Sequence, residues 1–137
     1  MMLGQDLELG QHFGAAGDGP FSTPSRRDYA EAAAVVSQGG HDGEVLELAG
    51  DSAFTLSDCA AMVTEVTGKP IAYTDMPQGA FAEALVGSGL PKGFAVILAG
   101  SDANAAKGAL FNDCKTLSTL IGRPTTPIKD SIQLAME

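Results

Sequence analysis

The chain has 137 residues, with 17 acidic against 8 basic side chains and a net charge of -9. That is enough length for one domain, residues 1–137, able to bury roughly two thirds of its unfolded surface. The charge repels phosphate backbones and anionic lipid, which sets aside nucleic acid and membrane surfaces as partners.

At the N-terminus, MMLGQDLELG carries acids where a secretory leader needs a basic start, and no apolar run approaches the ~20 residues that span a bilayer. Cys59 and Cys114 lack CxxC spacing and have only His12 and His41 as helpers. No metal site is expected, and the two thiols read as free cysteines of a cytoplasmic protein.

The stretch FGAAGDGPF, residues 13–21, packs Gly14, Gly17 and Gly19 together and invites a dinucleotide reading. A pyrophosphate loop needs a strand, a tight Gly turn and a helix that begins at once with free amides. The spacing fits neither GxGxxG nor GxxGxxG, because Pro20 stands where a third glycine would be, and FSTP delays the next helix to about Ser25. The expected structure is a β-turn at Asp18-Gly19 between two short extended segments.

Ser25 with Asp28 makes a capping box, and Tyr29, Ala32, Ala33 and Val36 share a face before Gly39 and Gly40 end the helix. EVLELAG, residues 44–50, is a β-favouring run between Gly43 and Gly50 and is expected to be a strand. Thr55 with Asp58 caps a second helix carrying Cys59, Met62, Val63 and Val66, closed by Gly68. PIAYTDM, residues 70–76, reads as another strand with Ile71 and Tyr73 on one side. Strand, helix and strand in that order predict a small parallel βαβ unit within residues 1–76.

From Pro77 to the end, Gly87, Gly89, Pro91, Gly93 and Gly100 are expected to divide an apolar sequence into short helical pieces. Phe81 and Leu85 mark one piece; Phe94, Ile97 and Leu98 mark another. Asp113 is expected to cap a helix faced by Leu117, Leu120 and Ile121 and stopped by Gly122. Thr126 before Pro127 starts the last helix, with Ile128, Ile132 and Ala135. The class is α/β, a βαβ portion followed by a helical cluster over residues 77–137.

Several blocks in order carry a resemblance: GAAGDG (14–19), RRDYAEAAA (26–34), ELAGDSAFTLSD (47–58), GLPKGFA (89–95), SDANAAKGALFND (101–113) and TLSTLIGRPTTPI (116–128). From Phe13 to about Ser131 the chain resembles the C-terminal part of type 2 NAD(P)H:quinone oxidoreductases, in the NmrA-like branch of atypical short-chain dehydrogenases. The resemblance implies a Rossmann-like fold whose N-terminal half carries the glycine-rich NADPH loop. The part seen here would complete the sheet edge and form the lobe over a quinone. The GxxGxxG loop has no counterpart in these residues, so that nucleotide-binding half is lacking, no cofactor-binding residue carries over, and no NADPH binding is expected of this chain alone.

Candidate catalytic residues do not emerge. Tyr29 has alanine, not lysine, one helical turn on at position 33, and is expected in the core. Asp28 is expected to cap its helix, not to touch substrate. His41 in GGHDG reads as a turn residue, and no serine sits in GxSxG.

A quinone pocket would draw on the apolar set Phe81, Leu85, Leu90, Phe94, Ile97 and Phe111. Phe81, Phe94 and Phe111 are its aromatic candidates, and Phe94 leads because glycines flank its segment. Two functions remain in view. One is the substrate-binding portion of an NAD(P)H-dependent quinone oxidoreductase, inactive without its nucleotide-binding half. The other is a non-catalytic NmrA-like sensor or interaction module, or a truncated relic, partnered by that missing half or by a second copy in a homodimer.

Overall fold

The computed structural model describes residues 3–136; Met1 and Met2, which open the stretch read as unlike a leader, lie outside the described residues, as does Glu137. The chain runs α1 (Leu3–Leu9), β1 (Gln11–Gly14), α2 (Arg26–Val36), α3 (Leu56–Thr67), β2 (Ala72–Asp75), α4 (Gln78–Gly87), α5 (Lys92–Ala105), α6 (Thr116–Ile121) and α7 (Ile128–Ala135).

Both capping boxes form. The Ser25 hydroxyl accepts from the Asp28 amide at 3.1 Å while Asp28 reaches back to the Ser25 amide at 3.2 Å, and Thr55 and Asp58 repeat the exchange at the head of α3. Each satisfies amides that the first helical turn leaves unpaired. Gly68 and Gly122 end α3 and α6 at φ 70° and 68°, a left-handed conformation that glycine adopts at little cost.

The sheet is a parallel pair, β1 beside β2, with Gln11 opposite Ala72 and Gly14 opposite Asp75. Parallel pairing was anticipated, but the partner of β2 is residues 11–14, not 44–50. EVLELAG forms no regular strand. It runs through a long irregular connection in which Val45 is 92% exposed. β1 escapes a pattern search because it is four residues long and two of them are Gly14 and His12. Its preceding turn is set by Gly10, at φ 66°, whose amide closes α1 on the Asp6 carbonyl.

One core cluster gathers Phe54, Cys59, Ala60, Val63, Ile71 and Ile132 between α3, α7 and the sheet; a second sets Phe81 of α4 against Ala99 of α5 and Ala15. The second explains why Gly93 and Gly100 do not interrupt α5, which continues for 14 residues. Each interior glycine costs about 1 kcal/mol of helix propensity. Burial of Ala95, Ala99 and Ala105, all at 0% exposure, lets α5 lie close to its neighbours and offsets that cost. With that packing the alanines of α5 point inward, while Phe94 and Ile97 are 54% and 67% exposed.

Asp113 does not cap α6. The cap position is Lys115, with no side-chain bond to the helix amides. Tyr29 is not core either. α2 turns Asp28 and Ala32 inward, and the Tyr29 ring stays exposed with its hydroxyl donating to the Leu48 carbonyl at 3.4 Å.

Asp28 turns inward because it serves three segments at once. Besides its cap, its carboxylate accepts from the Thr126 amide at 2.9 Å, the Thr126 hydroxyl at 3.0 Å and the Arg123 guanidinium at 2.7 Å. Arg123 also donates to Glu31. Asp51 repeats the pattern. It accepts from the Thr125 amide at 2.8 Å and the Ser118 hydroxyl at 2.8 Å, and its own amide donates to the Thr125 hydroxyl at 2.7 Å. The segments RRDYA and AGDS are therefore both tied to GRPTT, far along the chain.

Candidate functional site

In open parallel sheets ligands collect beyond the carboxyl ends of the strands. Here those ends are Gly14 and Asp75, and the loop that leaves β1 is the glycine stretch GAAGDG. Its turn is closed by the Gly19 amide on the Ala16 carbonyl at 2.9 Å, so Gly17 and Asp18 occupy the bend, one residue earlier than expected. Gly17 takes φ 50° there.

Three consecutive amides of this loop turn toward acidic and phenolic oxygens. Ala15 donates to Asp102 Oδ2 at 3.0 Å, Ala16 to the Tyr73 hydroxyl at 3.1 Å and Gly17 to Asp75 Oδ1 at 2.8 Å, while the Tyr73 hydroxyl donates to Asp75 Oδ1 at 3.0 Å. A Cβ at Gly14 would stand 3.0 Å from Asp102 Oδ2 and 3.1 Å from the Tyr73 ring, so those side chains would have to give by a few tenths of an ångström. Gly19 is needed, since its Cβ would lie 2.2 Å from the Ala105 carbonyl oxygen at the end of α5.

Tyr73 is pushed up to about 12, by burial first; the Ala16 amide works against that, and the Asp75 and Asp102 carboxylates add to it. The phenol remains a neutral donor at neutral pH. On its other side the ring meets His12, with centroids 6.0 Å apart, and His12 Nδ1 lies 3.1 Å from Asp6 Oδ2.

A nest of successive amides is an anion site when it is open. This one is closed by the protein's own carboxylates. A pyrophosphate would have to displace Asp75 and Asp102 while remaining within their field, and no helix begins at the loop to offer further amides. The residues present do not fit the phosphates of a dinucleotide. Sequence spacing pointed the same way, but it did not single out Tyr73, Asp75 or Asp102 as the reason. The available signal was the i, i+2 placement of Tyr73 and Asp75 on one face at a strand's end.

The three aromatic candidates differ in setting. Phe81 is 9% exposed and packs on Ala99 and Ala15. Phe94 lies near the start of α5 and Phe111 lies beyond its end. Phe111, 47% exposed, belongs instead to the strip where Ser22 accepts from the Asn112 amide and Asn112 donates to Glu47.

A shallow cavity of about 300 Å³ runs between α4 and α5, lined by Ala82, Glu83, Val86, Lys92 and Val96. Another of about 410 Å³ lies between α3 and α7 around Glu65, Lys129 and Met136. Neither includes Phe81, Phe94 or Phe111. His41 hydrogen-bonds Glu44 at 2.8 Å in an exposed turn, and Cys59 and Cys114 are not disulfide-bonded. Among the described residues no helix is long and apolar enough to cross a membrane.

No family model matches the chain. It is 53% identical over 127 residues to quinone oxidoreductase 2 of Escherichia coli K12, covering 92% of this chain and 44% of that protein. The crystal structure of the E. coli NADPH-dependent quinone oxidoreductase complexed with NADPH superposes with a TM-score of 0.95 at 49% identity, over 98% of this chain and 48% of the other. The triphenylmethane reductase of Citrobacter sp. follows with a TM-score of 0.91 at 28% identity, over 98% and 47%.

The architecture is therefore that of part of an NmrA-like NAD(P)-binding fold. Within that class the chain is a partial homologue of the type 2 quinone oxidoreductases, as the sequence blocks indicated, and it spans about half the length of the relatives it matches.

Proposed function

We propose that these residues form the acceptor-side portion of an NAD(P)H-dependent quinone oxidoreductase, with the nucleotide held by a separate portion of the kind that the longer relatives carry. The observation that supports this most is the 53% identity to E. coli quinone oxidoreductase 2 across nearly the whole of this chain. The closed amide nest adds a reason for the division of labour, because the glycine loop here is committed to Asp75, Tyr73 and Asp102.

On this reading Phe94 is the aromatic side chain that meets a flat acceptor, because its ring is exposed on a helix held rigidly from behind. Phe81 supports that helix pair from the core side. Phe111, half-exposed beyond the end of α5, is the second aromatic candidate for the acceptor. The compartment is the reducing cytoplasm, where Cys59 and Cys114 remain thiols.

Activity assays test the proposal directly. The 137-residue chain mixed with NADPH and a benzoquinone should show no NADPH oxidation above the uncatalysed rate and no micromolar NADPH binding by calorimetry. Joined to the remaining portion of the E. coli relative, it should reduce the quinone. Phe94→Ala should then raise KM roughly tenfold, the worth of one aromatic contact. Turnover by the chain alone, or a joined protein that binds NADPH and leaves quinone untouched, would refute the assignment.

A further inference from the structure

The helical hairpin formed by α4 and α5 carries Phe94, and among the described residues a single hydrogen bond ties it to the rest of the fold. That bond runs from the Ala15 amide, just past the end of β1, to Asp102 Oδ2 at 3.0 Å. The other hydrogen bonds of the two helices join the hairpin to itself or to the residues that flank it. Everything else that holds the hairpin is apolar packing, with Phe81 and Ala99 against Ala15 and with Met76, Ala82 and Leu85 around them. Apolar packing has no preferred direction, whereas a hydrogen bond does.

The holds on α5 lie toward its carboxyl end. Besides Asp102 and Ala99, Gly19 rests so closely on Ala105 that a Cβ there would lie 2.2 Å from the Ala105 carbonyl oxygen. The amino end is different. Pro91 gives its first amides no side-chain cap, and Phe94, Val96 and Ile97 are exposed. Phe94 stands eight residues before Asp102, about 12 Å along the axis, so a tilt of about 5° at Asp102 carries the ring about 1 Å. A gap of about 1 Å forfeits up to about half of a dispersion contact.

We propose that Asp102 is a positioning residue for the acceptor: by accepting from the Ala15 amide it fixes the direction of α5 against the strand ends, and with it the place of Phe94. Asp102 acts on the acceptor through the helix. The role rests on the proposed function, in which Phe94 meets the acceptor; the anchoring of α5 stands apart from it. One carboxylate oxygen makes the bond, so an oxygen acceptor is required and a charge is not. Asparagine should therefore replace Asp102, while alanine strands a buried amide at Ala15.

Hydrogen exchange read by mass spectrometry tests the anchor in the 137-residue chain. Asp102→Ala should speed exchange of the α5 amides about tenfold or more and leave α3 and α7 unchanged, and Asp102→Asn should match the parent.

Kinetics of the chain joined to the remaining portion of E. coli quinone oxidoreductase 2 test the positioning. Asp102→Ala should raise the quinone KM about threefold to tenfold, with kcat and the NADPH Kd within about twofold, and Asp102→Asn should restore the parent KM. In a Phe94→Ala background Asp102→Ala should add less than about 1.5-fold, because the two act through one contact. Leu117→Ala, which weakens the fold at α6, should leave the quinone KM within about 1.5-fold. If the joined protein is inactive, the same substitutions at the aligned positions of the intact E. coli enzyme give the comparison.

Unchanged α5 exchange in Asp102→Ala would overturn the anchor and the proposal with it. Faster exchange with an unchanged quinone KM, or effects of Asp102→Ala and Phe94→Ala that simply multiply, would overturn the positioning role. A joined protein that binds NADPH and leaves quinone untouched, while the E. coli enzyme responds as expected, would sink the enzymatic reading of this chain and leave the anchor standing.

Discussion

Replacing Asp28 by asparagine removes one charge from a site where the carboxylate is fully buried and accepts from Ser25, Arg123 and Thr126. Burial by itself would raise its pKa, but the Thr126 amide, the Arg123 guanidinium, Ser25 and the Thr126 hydroxyl outweigh it and hold the group down at about 2 against an ordinary 3.8. By linkage, that depression corresponds to about 2.5 kcal/mol of folding stability. A depressed carboxylate contributes fully above its unfolded pKa and loses its contribution as pH falls through the folded value. The term is therefore present at neutral pH and disappears between about pH 4 and pH 2.

Asp28→Asn should accordingly lower the stability measured by urea unfolding at pH 7 by about 2 to 3 kcal/mol, or about 5 to 10 °C in melting temperature at this chain length. The difference between the two proteins should then shrink toward zero as pH approaches 2. Arg123 keeps Glu31 and is 36% exposed, so it can turn to solvent, which keeps the loss below that of a fully stranded buried pair. A variant within about 0.5 kcal/mol of the parent at pH 7, or a deficit of constant size from pH 7 to pH 2, would refute the reasoning.

Gly19→Ala should cost about 2 to 3 kcal/mol in the same assay, because its Cβ would collide with backbone at Ala105 and Ala106, which cannot rotate away. Tyr73→Phe leaves the buried Ala16 amide without its acceptor and should cost about 1 to 3 kcal/mol. Ultraviolet titration of the parent should show one of its two tyrosines ionising near pH 12, and that step should vanish in the variant. Leu117→Ala empties a fully buried site on α6 and should cost about 2 to 5 kcal/mol, whereas Leu134→Ala, at a residue 67% exposed, should change urea stability by less than about 0.5 kcal/mol.

Sequence alone settled what depends on neighbours within one helical turn. Ser25 with Asp28 and Thr55 with Asp58 announce helix starts because the capping exchange is completed inside four residues. Gly68 and Gly122 announce helix ends because only glycine takes the left-handed turn cheaply. The mismatch of Gly14, Gly17 and Gly19 with a pyrophosphate loop was legible for the same reason, since that motif is a local geometry.

Tertiary structure decided everything that turns on a distant partner. Whether a β-favouring run becomes a strand depends on a second strand to bond it, and four-residue β1 found β2 while the better-patterned 44–50 did not. Whether α5 continues through Gly93 and Gly100, and whether alanines or Phe94 and Ile97 face inward, depended on how close α4 and the glycine loop could approach. Asp28 could be read as a cap from its own segment. Its bonds to Arg123 and Thr126, like those of the loop amides to Tyr73, Asp75 and Asp102, join residues from 57 to 98 positions apart, a distance over which no local pattern carries information.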